Sequence, residues 1–359
     1  MNHSDIHDSF LQLVRLGIGA SNTVSISGQI DWPSLQALAD QQGLSAVVLD
    51  GVECLPDSQR PPQVLLLQWI GETLQGEAIC AEQQQAAIKM ADLYHSNYIR
   101  TYVLKGAVVA ECYPKPNHRF SEDMDCFLLP EQGVFDAWEL GNDLIKAQGY
   151  EVKYDFYKNS TFYLPGLTVE NHRFLTPFRG NKRLASLENV LQAYLKQDKG
   201  LDIIEGTRLY RPPVMVTALF LIEHAYSHFL HEGLTWRHVL DWMMFSKKHQ
   251  KDINWTEFDV FVDEFGFRKF YNSFSQLGKY LIGEIQESDF TKVDKKMLAD
   301  IWAPLDLHDT VRGFKGKLAL AGNTWRARWK YRYFAEMSWV TALWIQVKGF
   351  LFIKEPRLN

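Results

Sequence analysis

Read for the spacing of its apolar positions, the chain begins as helix. In DWPSLQALADQQGL, residues 31–44, Asp31 suits an N-cap and Pro33 the first turn. Leu35, Leu38 and Ala39 form one apolar stripe, and Gly43 suits the position just past a helix end. A second helical stretch is expected from about Gln63 to Asn97, broken near Gly71 or Gly76 because glycine weakens a helix interior.

The period changes at Tyr102. YVLKG reads as a short buried strand ending in a glycine turn, AVVAECY as a short helix, and PKPNHRFSE as a loop whose prolines stop that helix. DMDCFLL is a second strand, and a helix follows over roughly 133–148 with Gly149 at its stop. Short β-like runs come next: YEVKYDFY, STFYL and LTVENHRF. After Pro177 the spacing is expected to be helical throughout, as in SLENVLQAYL, PPVMVTALFLIEHAYSHFLHEG and TWRHVLDWMMFSKKH. The expected fold is α+β: an N-terminal helical region (1–97), a small mixed β-sheet core (98–178), a larger C-terminal helical domain (179–310) and a basic, aromatic tail (311–359).

Composition narrows the class. With 46% hydrophobic and 23% charged residues, the chain of 359 residues can build a sizeable core and is neither disordered nor fibrous. The four cysteines, at 54, 80, 112 and 126, include no CxxC pair and are expected to be reduced. The start MNHSDIHDSF lacks the basic and apolar run of a secretory signal, so a cytoplasmic location is expected. No run of 18 uncharged apolar residues predicts a membrane span; the closest, 337–353, is interrupted by Gln346 and Lys348. The net charge of −5 hides a basic tail in which ten Lys or Arg face only Glu336 and Glu355. That tail, with Trp325, Trp329 and Trp339, suits a helix whose aromatics pack in the core; peripheral membrane contact is the next reading, ahead of nucleic acid.

The chemistry concentrates in the second strand. Residues two apart on a strand share a face, so Asp123 and Asp125 converge on one side while Met124, Cys126 and Leu128 face the other. Two carboxylates this close need positive charge between them, and Mg²⁺ (or Mn²⁺) is the natural hard cation for oxygen ligands. Such a site suits phosphoryl or nucleotidyl transfer with two metals. Glu170 offers a third acid, with His172 on the same face, and Asp155 competes with it. Gly106 lets backbone approach phosphate closely, and Lys105, His118 and Arg119 carry charge to neutralise it. The bland alternative is an edge strand with its acids in solvent.

A separate cluster lies in EHAYSHFLHE. His224, His228 and His231, at i, i+4 and i+7, make a zinc hydrolase the rival enzyme reading, although the stretch is not HExxH. Arg237 and Asp241 are spaced for an ion pair on a helix surface; alternatively Arg237 or His228 faces the cleft.

The order of these pieces carries a resemblance. LKGAVVAECYPKPNHRFSEDMDCFLL (104–129), LTVENHRF (167–174) and LIEHAYSHFLHEGLTWRHVLDW (221–242) together resemble the DNA polymerase β-like nucleotidyltransferase superfamily. Within it they most resemble the bacterial family described as uncharacterised nucleotidyltransferases. The resemblance implies Asp123, Asp125 and Glu170 as metal ligands and catalytic acids, Gly106-Ala107 as the nucleotide-binding turn, a nucleoside triphosphate as donor, and an acceptor that is a small molecule, protein or nucleic acid. The chain departs from the superfamily pattern in Ala107, which lacks the usual hydroxyl, in Glu122 before the first aspartate, and in a glutamate as third acid. A nucleotide-binding or interaction protein with little chemistry is the alternative these departures permit.

Overall fold

The computed structural model describes residues 3–23, 30–155, 158–178, 181–231, 233–303 and 325–335, with four isolated positions as far as Trp344. Three helices open the chain: α1 (His3–Gly17), α2 (Trp32–Gln41) and α3 (Ser45–Glu53). Asp31 caps α2 by accepting a hydrogen bond from the Ser34 amide, and Gly43 takes the left-handed φ of 68° that ends it. Then comes α4 (Gln63–His95), 33 residues without a break.

The break expected at Gly71 or Gly76 does not occur, and packing explains why. Gly76 lies under the Phe120 ring so closely that a Cβ there would come within 2.4 Å of it. Glycine at this position serves the approach of a loop rather than a kink. A Cβ at Gly71 would meet nothing within 4 Å beyond its own stretch of helix, and the hydrogen-bonded turns on either side carry the helix through.

The middle of the chain builds most of one sheet. Its elements are β1 (Ile99–Val103), α5 (Ala107–Ala110), β2 (Asp123–Pro130), α6 (Ala137–Ala147), β3 (Lys153–Asp155), β4 (Asn159–Leu164) and β5 (Leu167–His172). After α7 (Lys182–Gln197), two short strands, β6 (Leu201–Asp202) and β7 (Leu209–Arg211), interrupt the segment expected to be wholly helical. β7 pairs parallel to β1 and extends the sheet to the order β3-β4-β5-β2-β1-β7-β6. Three residues of β7 are too few to show a period of two, which is why the sequence hid it. Among the described residues, further α-helices follow: α8 (Val214–His231), α9 (Trp236–Lys248), α10 (Trp255–Glu264), α11 (Arg268–Leu281) and α12 (Lys292–Trp302). The architecture is α+β, with one mixed sheet flanked by helices.

The sheet separates two cores. Met124, Cys126 and Leu128 of β2 pack with Ala87, Met90, Ala91 and Tyr94 of α4 and Ile145 of α6. Phe127 and Leu129, on the opposite face, join a larger core shared by α1–α3 and the helices after α7. The two helical ends are stitched directly. Arg15 donates to the carbonyls of Tyr280 and Leu281, while Gln42 donates to the Ile301 carbonyl and accepts from the Trp236 amide.

Of the basic tail, residues 325–335 are described and largely helical. Tyr331 and Phe334 are buried, Trp329 and Phe334 contact the Phe229 ring, and Lys330 pairs with Asp300 at 2.6 Å. This part of the tail packs as core, whereas Trp325 stays exposed. Trp339 and the rest of the expected membrane-contacting stretch lie mostly outside the described residues. No described helix is long and apolar enough to cross a membrane.

The two glycines of α4 should respond oppositely to alanine. Gly71→Ala should stabilise the protein by about 1 kcal/mol through helix propensity. Gly76→Ala should destabilise it by about 1–2 kcal/mol, because Phe120 must move. Thermal melts of the two variants check both signs.

Candidate active site

Three strands bring the acids together. β2 runs parallel to β5 with Asp123 opposite Thr168 and Asp125 opposite Glu170. β1 runs antiparallel to β2, and the pairing continues through a hydrogen bond from the Leu104 amide to the Asp125 carbonyl. The chain then turns at Gly106, whose φ of 65° is a left-handed value open to glycine. Ser121 faces that turn and donates to the Asp123 carbonyl at 2.8 Å. The turn, the DxD pair and Glu170 thus share one end of the sheet.

Lys105 supplies positive charge between the two aspartates. Its Nζ lies 3.0 Å from Asp125 Oδ2 and 4.0 Å from Asp123 Oδ2. Burial opposes its charge, but Asp125 and Asp123 outweigh it and raise the Lys105 pKa. Asp125 is 2% exposed and accepts from His172 Nε2 at 2.9 Å. Burial pushes its carboxyl up, yet Lys105 and His172 hold it well below the usual range. Asp123, with a side chain 32% exposed, is the member of the pair that faces solvent.

Glu170 behaves differently. Asn159 donates to Glu170 Oε2 at 2.9 Å, but burial and then the charge of Asp125 raise its pKa. One ammonium does not offset the three acids. That surplus of negative charge, presented by carboxylate oxygens, fits a divalent cation of the Mg²⁺ type, and Asp125, Glu170 and His172 bring ligand atoms within 4.8 Å of one another. Asp155 sits on the edge strand β3, with β4 and β5 between it and β2, away from this end of the site.

The structure gives the other basic residues other partners. His118 lies between Asp50 of α3 (2.9 Å) and Glu77 of α4 (3.0 Å), and Lys115 also pairs with Asp50. Arg119 grips Asp241 of α9 through Nε and Nη2, at 3.1 and 2.6 Å, while Tyr113 donates to the same carboxylate. Burial disfavours the guanidinium charge, but Asp241 more than restores it and raises the Arg119 pKa. The surface pair expected between Arg237 and Asp241 is therefore not made. Arg237 donates instead to the Phe120 carbonyl. The loop 113–120 is clamped to α3, α4 and α9, which fixes where β2 begins.

The histidines regroup as well. His231 turns to the Ser227 carbonyl, and the third ring beside His224 and His228 is His238 of α9. His224 Nε2 lies 3.2 Å from Lys105 Nζ, so this cluster adjoins the carboxylate site. Sequence reasoning missed His238, the Lys105 bridge and the Arg119–Asp241 pair. TWRHVLDW showed a histidine on a helix, but nothing local linked it to a helix folded alongside.

The His118 clamp should make stability depend on pH. Its hydrogen bond to Asp50 raises the imidazole pKa above 6.5 against burial. The stabilisation is fully present below about 6.5 and is lost as pH rises through the higher folded-state value. His118→Gln should flatten the pH dependence of Tm from about 6.5 upward, as measured by melts across a pH series.

No curated protein and no solved structure matches the chain significantly. A family model described as uncharacterised nucleotidyltransferase matches residues 28–282, which take in the sheet, the clamping helices α3, α4 and α9, and the histidine-bearing helix α8. The chain belongs to the uncharacterised nucleotidyltransferase family.

Proposed function

We propose that the protein transfers a nucleoside monophosphate from a nucleoside triphosphate to an acceptor hydroxyl, with Asp123, Asp125 and Glu170 as the working acids. The observation that carries this reading is the register of β2 and β5. It sets Asp125 directly opposite Glu170, with the Gly106 turn beside Asp123. Asp123 and Asp125 would hold one divalent cation, and Asp125 and Glu170 a second. When bound, Mg²⁺ or Mn²⁺ supplies charge neutralisation for the triphosphate and the departing pyrophosphate.

The chain's own groups divide the remaining work. Asp125, fixed by His172 and Lys105, stays ionised and rigid. Glu170, directly opposite Asp125, accepts the acceptor's hydroxyl proton. The freed oxygen attacks the α-phosphorus, the bond to the bridging oxygen breaks, and pyrophosphate departs with that electron pair. Lys105 donates to phosphate oxygens, and Gly106 and Ala107 let the backbone pass close to them. Asp123, open to solvent, marks the side from which the nucleotide enters.

A nucleotide-binding protein with weak chemistry is the second reading. Its support is that His118 and Arg119 are committed to Asp50, Glu77 and Asp241, leaving Lys105 as the basic group at the turn.

One experiment tests both. Each nucleoside triphosphate is incubated with the protein and Mg²⁺ or Mn²⁺ while pyrophosphate release and label transfer are followed. Metal-dependent release should fall by about a hundredfold in Glu170→Gln. In Asp123→Asn/Asp125→Asn it should be abolished. Binding without release in the wild type favours the second reading, and release that survives in the aspartate double variant refutes the assignment of these acids.

A further inference from the structure

We infer that His224, His228 and His238 form a second, nitrogen-rich site that takes a late first-row divalent cation, zinc or cobalt, beside the carboxylate site. α8 places His224 and His228 one turn apart, with their Nε2 atoms 3.2 Å from each other. Two imidazole ligands of one tetrahedral ion, with bonds of about 2.0–2.1 Å, stand roughly 3.3 Å apart. The third ring comes from α9, and the ligand atoms of all three lie within 4.8 Å of one another. Closing the shell therefore takes a movement on the order of 1 Å in the widest pair.

The ring of His238 is held from behind. Its Nδ1 lies 2.9 Å from Thr235 Oγ1 at the N-cap of α9. The Thr235 amide also donates to Nδ1, at 3.2 Å, closing a capping box, so ligation through Nε2 exchanges that amide bond for one in which Nδ1–H donates to the Thr235 hydroxyl. Ring centroids of 4.3 Å for His224–His228, 4.9 Å for His228–His238 and 6.0 Å for His224–His238 keep the three side chains on one spot. All three are partly exposed, so an ion can reach them and keep a fourth position for water or an oxygen ligand.

Lys105 is the cost and the link. An ion on His224 displaces the Lys105 ammonium from Nε2, and Asp125, already 3.0 Å away, retains it. Ligand type separates the two sites, since imidazole nitrogen suits Zn²⁺ and Co²⁺ whereas carboxylate oxygen suits Mg²⁺. The inference does not depend on the proposed reaction.

The test is a Co²⁺ titration of the full chain followed by visible ligand-field absorption, in wild type, His238→Gln and His231→Gln. The wild type should bind saturably, with Zn²⁺ but not excess Mg²⁺ displacing Co²⁺. His231→Gln should match it, and His238→Gln should weaken binding by about tenfold or more. No saturable absorption in the wild type, or equal affinity in His238→Gln, overturns the inference. If His238→Gln does not fold by circular dichroism, imidazole ¹⁵N spectra of the wild type with Zn²⁺ decide. The signals of His224, His228 and His238 must shift together while those of His231 and His249 stay, and any other pattern overturns the site.

Discussion

The ammonium of Lys105 is the charge on which the site's geometry rests. Two aspartates on one face of a strand repel each other, and Asp125 is too deeply buried for water to relieve that repulsion. Lys105 relieves it from the strand next door, two residues beyond the end of β1 and directly before the turn at Gly106. The same nitrogen reaches His224 on α8. A single side chain thus joins the sheet's carboxylates to the helical half of the molecule, and the distance between them is set by a charge-assisted contact as well as by packing.

A second set of buried charges fixes the approach to the strand. Arg119 with Asp241, and His118 with Asp50 and Glu77, hold the loop before β2 against three helices from both ends of the chain. Removing one partner of such a pair strands the other in a low-dielectric site, which is far costlier than a lost surface ion pair. The basic residues closest in sequence to the DxD pair are thereby used for architecture. The acids keep their position because their neighbours in sequence are bound elsewhere.

Much of this was legible from local pattern. The alternation of DMDCFLL placed Asp123 and Asp125 on one face and Met124, Cys126 and Leu128 on the other, and the structure separates them in the same way between two cores. Asp31, Gly43 and Gly106 were readable because caps and left-handed turns demand particular side chains. Pairings across long stretches of chain were not. Arg119 and Asp241 are 122 residues apart, and the i, i+4 rule pointed Asp241 to Arg237, its neighbour along the helix. His238 replaced His231 for a similar reason: helical spacing shows what shares a face, but not which other helix lies against that face.

The unbroken course of α4 has a consequence for how the molecule moves. A helix of 33 residues is roughly 50 Å long at about 1.5 Å per residue. Near its start Trp69 is buried in the core shared by the two helical ends, and near its finish Ala87, Met90, Ala91 and Tyr94 lie under the sheet. Phe120, from the loop that leads into the DxD strand, rests on its middle at Gly76. Bending α4 to open one core would strain both the other core and that loop. The helix acts as a common axle, tying the two cores to the loop that leads into the DxD strand.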